Sequence, residues 1–138
     1  MINVGVIGVG YWGPNIIRNF DAFGGTTMKV CSDLKQERLD FIKKKHPAVQ
    51  TTRDYKEIIN DPSIDAVAIC TPVFTHYQLA KDALLAGKHV MLEKPMTSTL
   101  AQAEELVELA EKNKLTLMLD HTFIYTGAVR LIKKYLDS

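Results

Sequence analysis

The chain has 138 residues, 46% of them hydrophobic, which is enough for one domain with a buried core. Its formal net charge of +1 argues against nucleic acid or an anionic membrane surface as a main partner. The apolar runs are far too short to cross a bilayer.

Apolar runs typical of strands alternate with helical patterns along the whole sequence. Several runs are apolar at successive positions, as expected for strands covered on both faces. The predicted strands are Val4–Ile7, Met28–Cys31, a short one near Val49, Ala66–Cys70, His89–Leu92 and Leu115–Leu119. This alternation predicts an α/β fold over 1–138. We expect a doubly wound parallel sheet of the Rossmann type, with about six strands ordered 3-2-1-4-5-6 and helices on both faces.

Two of the helical patterns carry an apolar face, and two helix starts carry a capping pair. The predicted faces are Trp12, Ile16, Phe20 and Phe23 in the first helix, and Leu100, Ala103, Val107 and Ala110 in a later one. The predicted capping pairs are Asp54 with Glu57 and Thr99 with Gln102.

The first predicted strand runs into the glycine-rich turn Gly8-Val9-Gly10-Tyr11-Trp12-Gly13. Gly8 permits a tight turn, Gly10 lets the backbone approach a pyrophosphate, and Gly13 lets the next helix pack closely. The N–H groups and dipole of that helix favour phosphates. The turn therefore predicts a dinucleotide site, with a plain glycine turn as the alternative. Tyr11 is expected to border the pyrophosphate. Trp12 matches the apolar helix face, which favours core packing, but its place in the loop keeps it among the candidate cofactor contacts.

An acidic residue, Asp33, follows the second predicted strand. Its carboxylate could accept hydrogen bonds from the adenosine ribose and repel a 2′-phosphate, which favours NAD over NADP. The alternative is a helix N-cap with Gln36 closing a capping box, and both roles are compatible. Ser32 and Lys35 leave NADP binding open.

Right-handed crossovers place the carboxyl ends of all strands at one edge of the sheet, where open α/β sheets bind ligands. Thr71-Pro72, after the fourth strand, either forms the floor of the nicotinamide half or is an ordinary strand-ending turn. His76 is a helix-start residue near that turn and a further candidate cofactor contact. His121, after the sixth strand, is a structural histidine or a contact on the substrate side.

Glu93-Lys94-Pro95 follows the fifth predicted strand and carries the main candidate for chemistry. Lys94 could donate a hydrogen bond to the nicotinamide ribose or to a reacting hydroxyl. Glu93 could orient Lys94 or bind the ribose, and Pro95 is a candidate for a cis peptide bond. The alternative is a surface Glu–Lys pair of little energetic value. No residues are assigned to a metal.

These motifs together resemble the glucose–fructose oxidoreductase / inositol dehydrogenase (Gfo/Idh/MocA) family. The resemblance rests on four segments: Gly8 to Gly13, Ser32-Asp33, Cys70-Thr71-Pro72 with Thr75-His76, and Glu93-Lys94-Pro95. It spans essentially the whole chain but only the N-terminal half of a family member. It implies NAD(P)-dependent oxidation of a secondary alcohol on a sugar or cyclitol, with Lys94 as the catalytic lysine. Tyr11 to Asn15 and His121-Thr122-Phe123 resemble the branch that acts on sugars and nucleotide sugars.

The resemblance also implies what the chain lacks. The family's acid–base histidine lies in a second domain, which also supplies most of the substrate pocket and the oligomer sheet; His121 lies too early to match it. We therefore expect a cofactor domain that is inactive in isolation, from a homo-oligomeric dehydrogenase. A non-catalytic dinucleotide sensor or protein-interaction module, or a scaffold that binds no nucleotide, is the alternative. The immediate entry into a strand predicts no signal peptide, and Cys31 and Cys70 are expected to be core residues, which favours the cytoplasm.

Overall fold

In the computed structural model, which describes residues 1–138, six parallel strands form one sheet in the order β3-β2-β1-β4-β5-β6. The strands are β1 Ile2–Ile7, β2 Thr26–Ser32, β3 Gln50–Thr52, β4 Ala66–Ile69, β5 His89–Leu92 and β6 Leu117–Leu119. The helices are α1 Gly13–Ala22, α2 Gln36–Lys45, α3 Tyr55–Asn60, α4 Val73–Leu85, α5 Leu100–Lys112 and α6 Gly127–Leu136. A short 3-10 helix, Thr122–Tyr125, precedes α6. The predicted fold and strand order are confirmed.

The core consists of two apolar clusters, one on each face of the sheet. Neighbouring residues of one strand point to opposite faces, and they fall in different clusters: Val6 in one, Ile7 in the other. The first cluster includes α1 and α2 residues such as Ile17 and Leu39, and the second includes α3 to α5 residues such as Leu106. Burial on both faces explains why the central strands are apolar at successive positions.

Two predicted helix faces need correction. Trp12 precedes α1 and is 38% exposed, and Phe23 follows α1 and is also exposed, so the buried residues of this helix are Gly13, Ile16 and Ile17. In α5, Leu106 and Ala110 are buried, whereas Leu100 and Val107 are exposed. Both Leu106 and Val107 have helical spacing to Ala110, and the rotation of the helix on the sheet selects Leu106.

The predicted N-cap residues, Asp54 and Thr99, are confirmed, but neither predicted pair is closed by a bond from its second side chain. The Asp54 side chain accepts a hydrogen bond from the Lys56 N–H at 2.9 Å, and Thr99 accepts one from the Gln102 N–H at 3.3 Å. The Asp54 N–H donates to the Thr52 hydroxyl at 3.1 Å, so the reciprocal Glu57 contact of a full capping box is not made.

Candidate functional site

A cavity of about 950 Å³ lies along the carboxyl edge of the sheet. Its wall combines the glycine loop after β1 with residues that follow each of the other strands. Nine residues predicted for the site line it: Gly8, Gly10, Tyr11, Trp12, Asp33, Thr71, Pro72, Glu93 and Lys94. The wall does not include Gly13, His76 or His121. The structure therefore brings most, but not all, of the predicted residues together.

The three glycines of the loop stand in different surroundings. Gly8 has a φ of +94°, and a Cβ there would lie 2.8 Å from Thr71 and 2.9 Å from Cys70. A Cβ on Gly13 would overlap the carbonyl oxygen of Gly8. At Gly10 a Cβ would meet only Arg38 Nη1, at an ordinary 3.6 Å. The fold thus needs glycine at positions 8 and 13. The open space at Gly10 is instead a cradle that an approaching ligand could use.

Asp33 ties the end of β2 to the glycine loop. Its Oδ2 accepts from the Val9 N–H at 2.8 Å and its Oδ1 from the Lys35 N–H at 2.9 Å. Arg38 Nη1 lies 3.2 Å from Oδ2, and the Asp33 side chain is only 6% exposed. Burial acts to raise the pKa of Asp33, but hydrogen bonds from Lys35, Val9 and Arg38 hold it below its usual value. The carboxylate is therefore charged at neutral pH.

The N-cap alternative for Asp33 is wrong in detail. Helix α2 begins at Gln36 with Lys35 at its N-cap position, and Gln36 donates to Asp40 at 2.9 Å instead of closing a box. Sequence reasoning also missed Arg38, which lines the cavity beside Asp33. A signal was present, because side chains in the first turn of a helix point back toward its N-terminus.

Two aromatic side chains of the glycine loop stand at the cavity mouth. Tyr11 is 92% exposed, and its ring stacks on Trp12 with centroids 6.0 Å apart and an interplanar angle of 8°. Both line the cavity, so the core-packing interpretation of Trp12 is wrong. The reason is that Trp12 occupies the N-cap position of α1, one residue before the helical periodicity starts.

His76 supports the cavity wall from behind. It is 1% exposed, and its ring joins two loops: Nε2 lies 2.7 Å from the Thr71 carbonyl oxygen and Nδ1 lies 2.9 Å from the Pro95 carbonyl oxygen. The structure therefore gives His76 a structural position instead of a place on the cavity surface. His121 is exposed outside the wall, at the start of the 3-10 helix.

Glu93, Lys94 and Asp120 form the far end of the cavity, opposite Asp33 along the strand order. Lys94 is exposed, and the Lys94–Pro95 peptide bond is cis, as the sequence suggested. Glu93 Oε1 and Asp120 Oδ2 are buried and have no hydrogen-bond partner. Burial, followed by the charge of Asp120, raises the pKa of Glu93 to about 7. Sequence reasoning missed Asp120 as a site residue, although Asp120 directly precedes His121, which the sequence placed after the sixth strand.

The comparison with known protein families identifies this arrangement. A family model described as an oxidoreductase family with an NAD-binding Rossmann fold, GFO_IDH_MocA, matches residues 2–121. The chain belongs to this family. It is therefore a Rossmann NAD-binding domain of the Gfo/Idh/MocA oxidoreductases, and the predicted NAD(P) cofactor class is confirmed.

Characterised relatives within the Gfo/Idh/MocA family are similar over nearly the whole chain. The scyllo-inositol 2-dehydrogenase (NADP(+)) IolW of Bacillus subtilis is 31% identical over 141 residues, covering 99% of this chain and 37% of that protein. The myo-inositol 2-dehydrogenase of Thermotoga maritima is 32% identical over 116 residues, covering 84% of this chain and 35% of that protein. The chain thus spans little more than a third of the length of these relatives.

Solved structures share the fold closely. The biliverdin reductase from Synechocystis sp. PCC 6803, in complex with biliverdin and NADP+, superimposes with a TM-score of 0.91 at 28% identity. The match covers 99% of this chain and 43% of that one. No helix of the chain is both long enough and apolar enough to span a membrane.

Proposed function

We propose that the cavity binds an extended nicotinamide dinucleotide across the carboxyl edge of the sheet. The adenosine ribose lies at Asp33, the pyrophosphate lies over Gly10, and the nicotinamide half reaches Thr71, Glu93 and Lys94. The observation that carries the proposal is the open space at Gly10: the fold would accommodate a Cβ there, yet the residue is glycine, which leaves the space free for a ligand. Backbone amides that face a ligand there can hold phosphates without a basic surface.

We further propose that NAD is preferred over NADP. The Asp33 carboxylate is held in place by two backbone N–H groups and is charged, so a 2′-phosphate at that position would be repelled. Arg38, a cation that lines the cavity as Lys35 and Arg53 also do, is already paired with Asp33. The family model is described as NAD-binding, whereas IolW and the Synechocystis biliverdin reductase are named with NADP, so we expect the pairing of Arg38 with Asp33 to favour NAD in this chain.

The parent reaction proposed for this domain is oxidation of a secondary alcohol on a sugar, cyclitol or nucleotide sugar. When bound, the nicotinamide supplies a hydride acceptor for the alcohol's C–H hydrogen. Lys94, exposed at the far end of the cavity, donates a hydrogen bond to the substrate oxygen and stabilises the charge that develops there. The hydroxyl proton leaves to a base outside this chain, in a further domain that completes the substrate pocket. A homo-oligomeric parent and a cytoplasmic location remain predictions.

Titration calorimetry of the 138-residue chain with NAD+ and NADP+ tests the binding proposal. We expect saturable binding with NAD+ tighter than NADP+. We also expect no measurable turnover with sugars or inositols, because loss of an acid–base group alone costs about 10²–10⁴-fold in rate. Absence of binding heat and of a thermal shift with either nucleotide would refute the binding proposal. Turnover typical of a complete enzyme would refute the proposal that the catalytic base lies outside this chain.

A further inference from the structure

Two carboxyl groups meet at the far end of the cavity because neighbouring strands end in register. Leu92 of β5 pairs with Leu119 of β6, so Glu93 and Asp120 are the next residues on each strand. The Asp120 N–H donates to the Leu92 carbonyl oxygen at 2.9 Å, which fixes that strand end. Asp120 is only 5% exposed, yet its Oδ2 lacks a partner and it lines the cavity. A buried acceptor without a partner at a cavity wall marks a place where a bound ligand can supply the missing hydrogen bond or positive charge.

The pair carries negative charge that the protein neutralises only weakly. Burial and the charge of Asp120 oppose ionisation of Glu93, so the pair carries a net charge of about −1 while Glu93 holds its proton and −2 after the proton leaves. The Glu93 pKa of about 7 places that loss near neutral pH. Lys94 is the cation that acts on Glu93, and its side chain is exposed to water. The adjacent Cys70 thiol is uncharged, since burial and the two acids raise its pKa to about 12.

The two redox states of a nicotinamide ring differ in charge: the oxidised ring is positive and the reduced ring is neutral. An anionic group fixed beside the ring therefore favours the oxidised form, and the preference grows with the anionic charge. This reasoning rests on the proposed function, which directs the nicotinamide half of the dinucleotide toward Glu93 and Asp120.

We propose that the Glu93–Asp120 pair discriminates between the redox states of the bound cofactor and strengthens the binding of NAD+ relative to NADH. The phosphates and adenosine are common to both ligands, so their contacts cancel in the ratio of the two dissociation constants. That ratio, Kd(NADH)/Kd(NAD+), isolates what the pair contributes.

The test measures both dissociation constants for the 138-residue chain by calorimetry at pH 6 and pH 8.5. In the unmodified chain we expect the ratio to rise by roughly tenfold between these values, the effect of one added charge at a partly screened site. Glu93→Gln and Asp120→Asn each retain a single carboxylate. Each should therefore hold the ratio near its pH 6 value at both pH values. The double variant has no charge here and should lower the ratio by roughly another tenfold.

Two controls separate the pair from general charge effects. Glu104→Gln with Glu108→Gln removes two exposed carboxylates from α5, outside the cavity wall, and should leave the ratio and its pH dependence unchanged. His121→Gln should likewise retain the pH dependence. Loss of the dependence in His121→Gln, or a ratio at pH 8.5 that stays within twofold of the unmodified chain in all three acid variants, would overturn the inference. If NAD+ and NADH both bind while the ratio stays unchanged, only this inference fails; if neither binds, the proposed function fails with it.

Discussion

Replacing Gly10 and Gly13 separately by alanine should separate ligand binding from folding. Each change adds one methyl group to the same loop, so the two variants are matched in chemistry. At Gly10 the added Cβ has a single protein neighbour, Arg38 Nη1 at 3.6 Å. We therefore expect the free energy of unfolding to change by no more than about 0.5 kcal/mol.

The same change at Gly13 forces the Gly8 carbonyl and the added methyl group apart. Backbone cannot yield as a flexible side chain does, so overpacking should cost about 1–3 kcal/mol of stability. The midpoint of thermal unfolding should fall by several degrees, at roughly 3–5 °C per kcal/mol for a domain of this size. Helix α1 starts at Gly13, so the loss concerns the junction between β1 and that helix.

Nucleotide affinity should respond in the opposite way: Gly10→Ala should lose affinity for NAD+ with little loss of stability, whereas the main effect of Gly13→Ala is on stability. A methyl group at Gly10 occupies the cradle and displaces the pyrophosphate from one charge-assisted backbone hydrogen bond, a loss of about 1.5–3 kcal/mol. That corresponds to a roughly 10- to 150-fold weaker Kd for NAD+. Calorimetry gives the affinity and chemical denaturation gives the stability of each variant. If Gly10→Ala binds NAD+ as well as the unmodified chain, or loses as much stability as Gly13→Ala, the assignment of the cradle to the pyrophosphate is refuted.

Three further predictions concern cofactor choice, stability and association. Asp33→Ser should raise the affinity for NADP+ relative to NAD+, measured by calorimetry, because Arg38 loses its carboxylate partner and becomes available to a 2′-phosphate. An unchanged ratio of the two affinities would contradict the role of Asp33. Lys88→Met should lower the free energy of unfolding by about 1–3 kcal/mol, whereas the exposed Lys112→Met should not. The buried Lys88 Nζ donates to the Asp61 and Ile64 carbonyl oxygens at 2.7 and 2.8 Å, and the variant removes both bonds, although the Asp61 oxygen still accepts from the Ile64 N–H at 3.2 Å. Helix α6 exposes apolar side chains, among them Leu131 and Ile132, so we expect weak self-association through this helix. Leu131→Glu should reduce that association in analytical ultracentrifugation, and identical profiles for the variant and the unmodified chain would contradict the prediction.

Strand order and glycine geometry could be predicted from the sequence because both depend on local patterns. Apolar runs separated by helical segments define a parallel sheet whose crossovers have one hand, which leaves few topologies. The individual roles of Gly8 and Gly13 likewise follow from the turn between a strand and a helix, and the structure shows both requirements directly.

Side-chain placement was harder to predict because it depends on rotations and registers that periodicity does not fix. Trp12 fits the apolar face of α1 by spacing but lies one residue outside the helix. The sequence predicted His76 to be a helix-start residue and a candidate cofactor contact, yet the ring is buried between two loops that are 24 residues apart in the chain, from Thr71 to Pro95. The Glu93–Asp120 pair appears only once β5 and β6 are aligned residue by residue.

Mapping amide chemical-shift changes during an NAD+ titration of the isotopically labelled chain tests the central claim most directly. The account predicts saturable shifts that run across the sheet edge, from Asp33 through the glycine loop around Gly10 to Thr71 and Lys94. The amides of α5 and α6, helices that contribute no residue to the cavity wall, should stay unchanged. Shifts confined to those helices, or no shifts at millimolar NAD+, would contradict the account.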